Sequence, residues 1–93
     1  MTYPFQRLSE RLQLLYCLIA NGFDVRMHAY EYILIHNSRL SAIVILEPSK
    51  EKASILLLPS YEGDIVPLLR KITNCIHSIR KDIEIVLEER RSL

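Results

Sequence analysis

Three histidines and two cysteines are the residues of this 93-residue chain best suited to hold a metal or attack a substrate. Their spacing does not assemble a ligand set. Cys75 and His77 lie two apart in a helical stretch, so they point about 160° away from each other. His28 and His36 share a strand parity but are separated by eight positions. A structural zinc site draws on close ligand pairs, and none is present, so no metal is expected. Cys17 stands within an apolar helical run, where burial raises a thiol's pKa and removes its nucleophilicity. Both cysteines are expected to be reduced and buried, acting as small hydrophobes, because a disulfide framework normally shows four or more Cys in a secreted chain.

Other chemistries fare no better. With two glycines in the whole chain, Gly22 and Gly63, neither a P-loop nor a dinucleotide fingerprint can be built, and no Gly-x-Ser-x-Gly elbow occurs. No cofactor is expected. Asp24, Glu47 and Lys50 loosely parallel the Asp…Glu-x-Lys arrangement of restriction-like nucleases. The spacing is one residue too long, however, and Pro48 pulls the chain out of the strand between them. A charged hairpin rim explains these residues better.

Arg70, Asn74, His77 and Lys81 fall at i, i+4, i+7 and i+11, one polar, basic helix face that phosphates could track. Tyr61 precedes that helix, and Arg90-Arg91 are expected to lie near the same face. The competing reading is a solvated face whose cations favour the helix C-terminus. Twelve basic against eleven acidic residues leave a net charge of +1, which does not by itself call for nucleic acid or an anionic membrane. Arg7 and Arg11 lie on an amphipathic first helix, but its apolar residues are better used in a core than in a lipid surface.

These residues must be positioned by a small set of elements. Pro4 to Ala20 reads as a helix with Phe5, Leu8, Leu12, Leu15 and Ile19 on one face, ended by Asn21-Gly22. Phe23 to His28 alternates as a strand, and Tyr30 to His36 continues in the same style, as one long or kinked strand. Asn37-Ser38-Arg39 is a turn. Ala42–Glu47 and Ala53–Leu58 are β-branched-rich runs joined by a loop over residues 48–52. Asp64 caps a second helix, with Pro67 in its first turn and Ile65, Leu68, Leu69, Ile72, Ile76 and Ile79 as its apolar stripe. The tail alternates Ile83, Ile85 and Leu87 with polar positions. It favours a short further strand, with prolongation of the helix as the alternative. The expected fold is a single α+β domain over residues 1–93: helix, three-stranded antiparallel meander, helix and that short C-terminal strand (α-β-β-β-α-β).

The apolar content exceeds what this plan needs. Ile33-Leu34-Ile35, Ile43-Val44-Ile45-Leu46 and Ile55-Leu56-Leu57-Leu58 are apolar at consecutive positions, which asks for cover on both sheet faces. Leu14 and Leu18 lie about 100° or more from the chosen helix face. Two helices on opposite sides would supply the cover. Two on one side would leave on the order of several hundred Å² for a partner. The favoured function is a non-enzymatic protein-interaction or regulatory accessory module. It would associate with itself or dock on another protein through Leu14, Leu18, Ile33, Ile35, Ile43 and Ile45. The alternative is a nucleic-acid-associated regulator using the second helix. A third reading is an enzyme with a composite site at a subunit boundary, drawing on His28, Tyr30, Glu31 and His36. The longest apolar runs are far short of the ~20 residues that span a bilayer, and the N-terminus does not read as a signal peptide. The expected location is the cytoplasm.

Overall fold

A computed structural model describes residues 2–58 and 64–89. Tyr61 and Arg90-Arg91 therefore lie outside the described residues. The elements run α1 (Leu8–Ala20), β1 (Asp24–His28), β2 (Glu31–His36), β3 (Arg39–Glu47), a 3-10 turn over Pro48–Lys50, β4 (Lys52–Leu57), α2 (Ile65–Ile79) and β5 (Glu84–Glu89). The five strands form one sheet in the order β1-β2-β3-β4-β5. The first four are an antiparallel meander, and β5 joins β4 in parallel after the α2 crossover. The α+β class and the element order match the sequence reading, with five strands in place of three or four.

The additional strand comes from a tight turn. Residues 23–36 are two strands folded on each other, with His28 opposite Glu31 and the reversal at Ala29-Tyr30. Ala29 takes a positive φ of 54°, a conformation that usually selects Gly or Asn, so the residue type hid the turn. At Asn37-Ser38 the signal and the backbone agree: φ values of 53° and 63° give the left-handed pair that closes a two-residue hairpin. Glu51, also left-handed at 49°, ends the 3-10 turn before β4.

α1 begins at Leu8, four residues later than its sequence pattern suggests. Residues 3–7 form a hook in which Phe5 turns back with φ 63° and buries its ring completely. The Glu10 carboxylate accepts from the Phe5 N–H at 3.1 Å and from Arg80 Nε at 2.7 Å, joining hook, α1 and the end of α2. The helix is also turned about its axis relative to expectation. Leu14 and Leu18 are fully buried, whereas Leu8 and Ile19 are 56 % and 49 % exposed. Leu14 and Leu18 are thus core residues and take no part in a docking face. α1 is apolar nearly all round, so periodicity alone could not choose its inner face.

α2 behaves as read. The Asp64 side chain accepts from the Val66 N–H at 3.0 Å, and Leu68, Ile72, Cys75 and Ile76 are buried. Asp64→Ala is expected to cost ~1 kcal/mol, measured as a shift in the urea midpoint at constant m. The cysteines do not: Cys17 and Cys75 are joined by a disulfide that ties α1 to α2, their Cα atoms 5.7 Å apart. The sequence expectation of two reduced thiols is corrected here. Two cysteines 58 residues apart carry no pairing signal, and only the packing of the two helices brings them within bonding distance.

Both helices cover the same sheet face. Tyr32, Leu34, Ala42, Val44, Leu46, Ala53, Ile55 and Leu57 point inward and join Leu14, Leu18, Leu68, Ile72 and Ile76 in one core. Among the described residues neither helix packs on the opposite face.

Candidate interaction face

Strand alternation sends every second side chain to the uncovered side. There the ladder places Arg26, Ile33, Ile43, Leu56 and Glu88 side by side, one from each strand. The neighbouring row holds His28, Glu31, Ile45, Ser54 and Val86. Ile35 extends the first of these rows toward the β2–β3 turn, opposite Asp24. Six apolar side chains, Ile33, Ile35, Ile43, Ile45, Leu56 and Val86, are therefore contiguous and only partly buried. Of the residues named from the sequence, the structure brings Ile33, Ile35, Ile43 and Ile45 together on one surface. Leu56 and Val86 were missed as members of it. Both stood in plain apolar patterns, but which strands lie beside β3 cannot be read from a single strand's alternation.

Charge frames this surface unevenly. Its β1 end carries Arg26 and Asp24, and its β5 end carries Glu84 and Glu88, all exposed. At the β3–β4 turn Glu47 pairs with Lys50 Nζ at 3.1 Å and Lys52 Nζ at 3.8 Å. The hydrogen bond from Lys50 holds the Glu47 carboxyl below its ordinary pKa.

The other candidate residues do not converge. Arg70 and Asn74 are exposed on α2, but α2 ends at Ile79, so Lys81 stands in the following turn and leaves their helical series. His77 Nε2 is turned to the Ile83 carbonyl at 3.3 Å, binding α2 to the segment that leads into β5. His28 and Glu31 face each other across the β1–β2 hairpin, whereas His36 lies at the far end of β2 with its ring edge-on to Phe23, centroids 6.0 Å apart. Tyr30 lies under the Arg11 guanidinium, 4.2 Å from its centroid.

That guanidinium is structural. Arg11 Nη1 donates to the Phe5 and Gln6 carbonyls at 3.1 and 2.7 Å, clamping the hook against the β1–β2 turn. Beside it the buried Tyr32 hydroxyl donates to the Arg11 carbonyl at 2.7 Å. Burial pushes the Tyr32 ionisation well above the ordinary tyrosine range, so the hydroxyl is a neutral donor throughout the working pH range. Tyr32→Phe is expected to cost ~1–2 kcal/mol in chemical denaturation, with no change in association.

A cleft of about 220 Å³ opens between Phe23, His36, Asp64, Pro67, Leu68 and Lys71. It is smaller than the roughly 300–1,000 Å³ usual for organic ligands, and its charges are of mixed sign. Among the described residues no three His, Cys, Asp or Glu side chains are placed to share a metal ion. Among them, too, no helix is long and apolar enough to cross a membrane.

Fold and surface together define a class: a small α+β domain whose helices shield one side of a five-stranded sheet, the other side being uncovered among the described residues. No family model matches the chain, and neither a curated protein nor a solved structure matches it.

Proposed function

We propose that this chain is a non-enzymatic interaction module that docks through the open face of its sheet. The observation that carries the reading is the contiguous set Ile33, Ile35, Ile43, Ile45, Leu56 and Val86 on a face that neither helix covers. A patch of this kind is a recurrent mark of association, because leaving it in water costs ~25 cal/mol for each Å² of apolar surface. The polar residues of α2 support nucleic-acid binding less well, since Lys81 has left the helix and His77 is held by Ile83.

The test is a paired measurement on the full chain and on Ile33→Lys/Ile45→Lys. The wild type should sediment above its 10.9 kDa chain mass, or carry another polypeptide at fixed stoichiometry. The double variant should run as a bare monomer with an unchanged circular dichroism spectrum. Identical masses and identical companions for the two would remove the proposal.

The disulfide bears on where this happens. A bond of this kind persists in oxidising compartments and is rare where glutathione keeps thiols reduced, so the cytoplasmic expectation rests on the state of Cys17 and Cys75 in the cell. Thiol trapping in intact cells reads it directly: blocked thiols place the chain in a reducing compartment, and an intact bond in an oxidising one.

A further inference from the structure

We infer that the occupant of the open sheet face is a second copy of this chain, packed face to face about a twofold axis that runs along β3. The inference rests on the interaction reading above and adds the partner and its geometry.

Two identical sheets that face each other can be related by a twofold axis only if that axis lies between them, parallel to both. An axis along the strands reverses the strand order from one copy to the other. β3 then lies over β3, β2 over β4, and β1 over β5. Because the central row is in register across all five strands, the operation fixes which side chains meet. Ile43 meets Ile43 of the second copy on the axis, and Ile33 meets Leu56 of the second copy on either side. At both margins Arg26 of one copy comes over Glu88 of the other. In the next row Ile45 meets its own equivalent, Val86 covers His28, and Glu31 comes over the Ser54 hydroxyl.

The charge distribution favours this axis over the alternative. A twofold perpendicular to the strands would stack β1 on β1 and β5 on β5, setting Glu84 and Glu88 of one copy against the same carboxylates of the other. The axis along β3 instead brings the acidic β5 margin over the β1 margin, where Arg26 stands directly over Glu88 and Asp24 lies one row further along. Face-to-face sheets cross at about 30°, which displaces the outer strands by roughly 5 Å along their length. An arginine side chain reaches across such a shift, and Glu84 and Glu88 both lie on that margin. Glu47, the carboxylate on β3 itself, is already neutralised by Lys50 and Lys52.

The size is adequate as well. Five strands at ~4.8 Å and six residues at ~3.4 Å make a plane on the order of 500 Å². Two copies therefore bury about 1,000 Å², the lower bound for a specific interface. The resulting two-layer sandwich, helices outward on both sides, places the apolar rows of both sheets in one interior.

Sedimentation equilibrium across the micromolar range tests this. The wild type should be a reversible dimer. Ile43→Lys, which sets two ammonium groups together on the axis, should raise its dissociation constant on the order of a hundredfold or more. Arg26→Glu and Glu88→Arg should each weaken the dimer roughly tenfold, and combining them should restore it, because each margin regains an opposite-charge pair. The margin variants lie at exposed edge positions and keep the test valid if Ile43→Lys does not fold. A dimer in which the combined swap is no better than the singles overturns the axis. A chain that stays monomeric while Ile33→Lys/Ile45→Lys still sheds a fixed-stoichiometry partner overturns the second copy and leaves the interaction reading standing. If neither mass nor companions respond to any variant, both fall.

Discussion

Reduction of the Cys17–Cys75 bond should lower the unfolding free energy by about 4 kcal/mol. The bond closes a loop of 58 residues, and the chain-entropy relation gives ~4 kcal/mol for that length at 25 °C. For a domain of this size that corresponds to a fall in melting temperature on the order of 20 °C. Local chemistry adds to the entropy. Asn21 Nδ2 donates to the Cys17 carbonyl at 2.9 Å and lies 3.3 Å from the Cys75 sulfur, so the bond sits inside the contact between α1 and α2. The measurement is guanidinium unfolding of the oxidised chain, the same chain in reductant, and Cys17→Ala/Cys75→Ala. The two disulfide-free forms should agree, because Ala leaves no unpaired polar group behind. Two titratable thiols in the native chain, or midpoints that coincide with and without reductant, would contradict the pairing.

The second large effect concerns the rotation of α1. Leu18→Ala should destabilise by ~2–5 kcal/mol, because the side chain is fully buried and its removal leaves a cavity in the core. Leu14→Ala should behave alike. Leu8→Ala, at a position 56 % exposed, should stay within about 0.5 kcal/mol of wild type. The sequence periodicity orders these residues the other way, with Leu8 inside and Leu14 and Leu18 outside, so one set of urea curves decides between the two faces. Leu18 adjoins Cys17, and the effects of Leu18→Ala and of reduction should therefore combine non-additively. A cost for Leu8→Ala larger than that for Leu18→Ala would falsify the helix orientation.

The effects differ in kind from those on the sheet face. Core and disulfide changes act on the folding equilibrium of one chain. On the proposed reading, Lys at Ile33, Ile43 or Ile45 should act on association, because these side chains are only partly buried in the single chain. A variant that unfolds and one that merely dissociates are separated by measuring both midpoint and mass. If dimerisation contributes to stability, the midpoint of the wild type rises with protein concentration and that of Ile43→Lys does not.

Much of the fold was legible because local rules carry it. The end of α1 at Asn21-Gly22, the Asn37-Ser38 turn, the Asp64 cap and the α2 stripe each follow from the residues on the spot. The strand character of the tail was legible too, since Ile83, Ile85 and Leu87 keep a period of two. The excess of apolar residues on β2, β3 and β4 corresponds to apolar side chains on the sheet face that neither helix covers. What remained hidden depends on contacts between distant segments. Ala29 turns the chain without a turn residue because the ladder between β1 and β2 outweighs the backbone strain of one left-handed alanine. Phe5 leaves the helix pattern because burying its ring, with Glu10 and Arg11 holding the hook, outweighs a further helical turn. The inner face of a helix whose apolar residues spread round most of its circumference is chosen by what it packs against. So are the partner of a cysteine and the neighbours of a strand: each is a pairing in space, and a one-dimensional period carries no information about it.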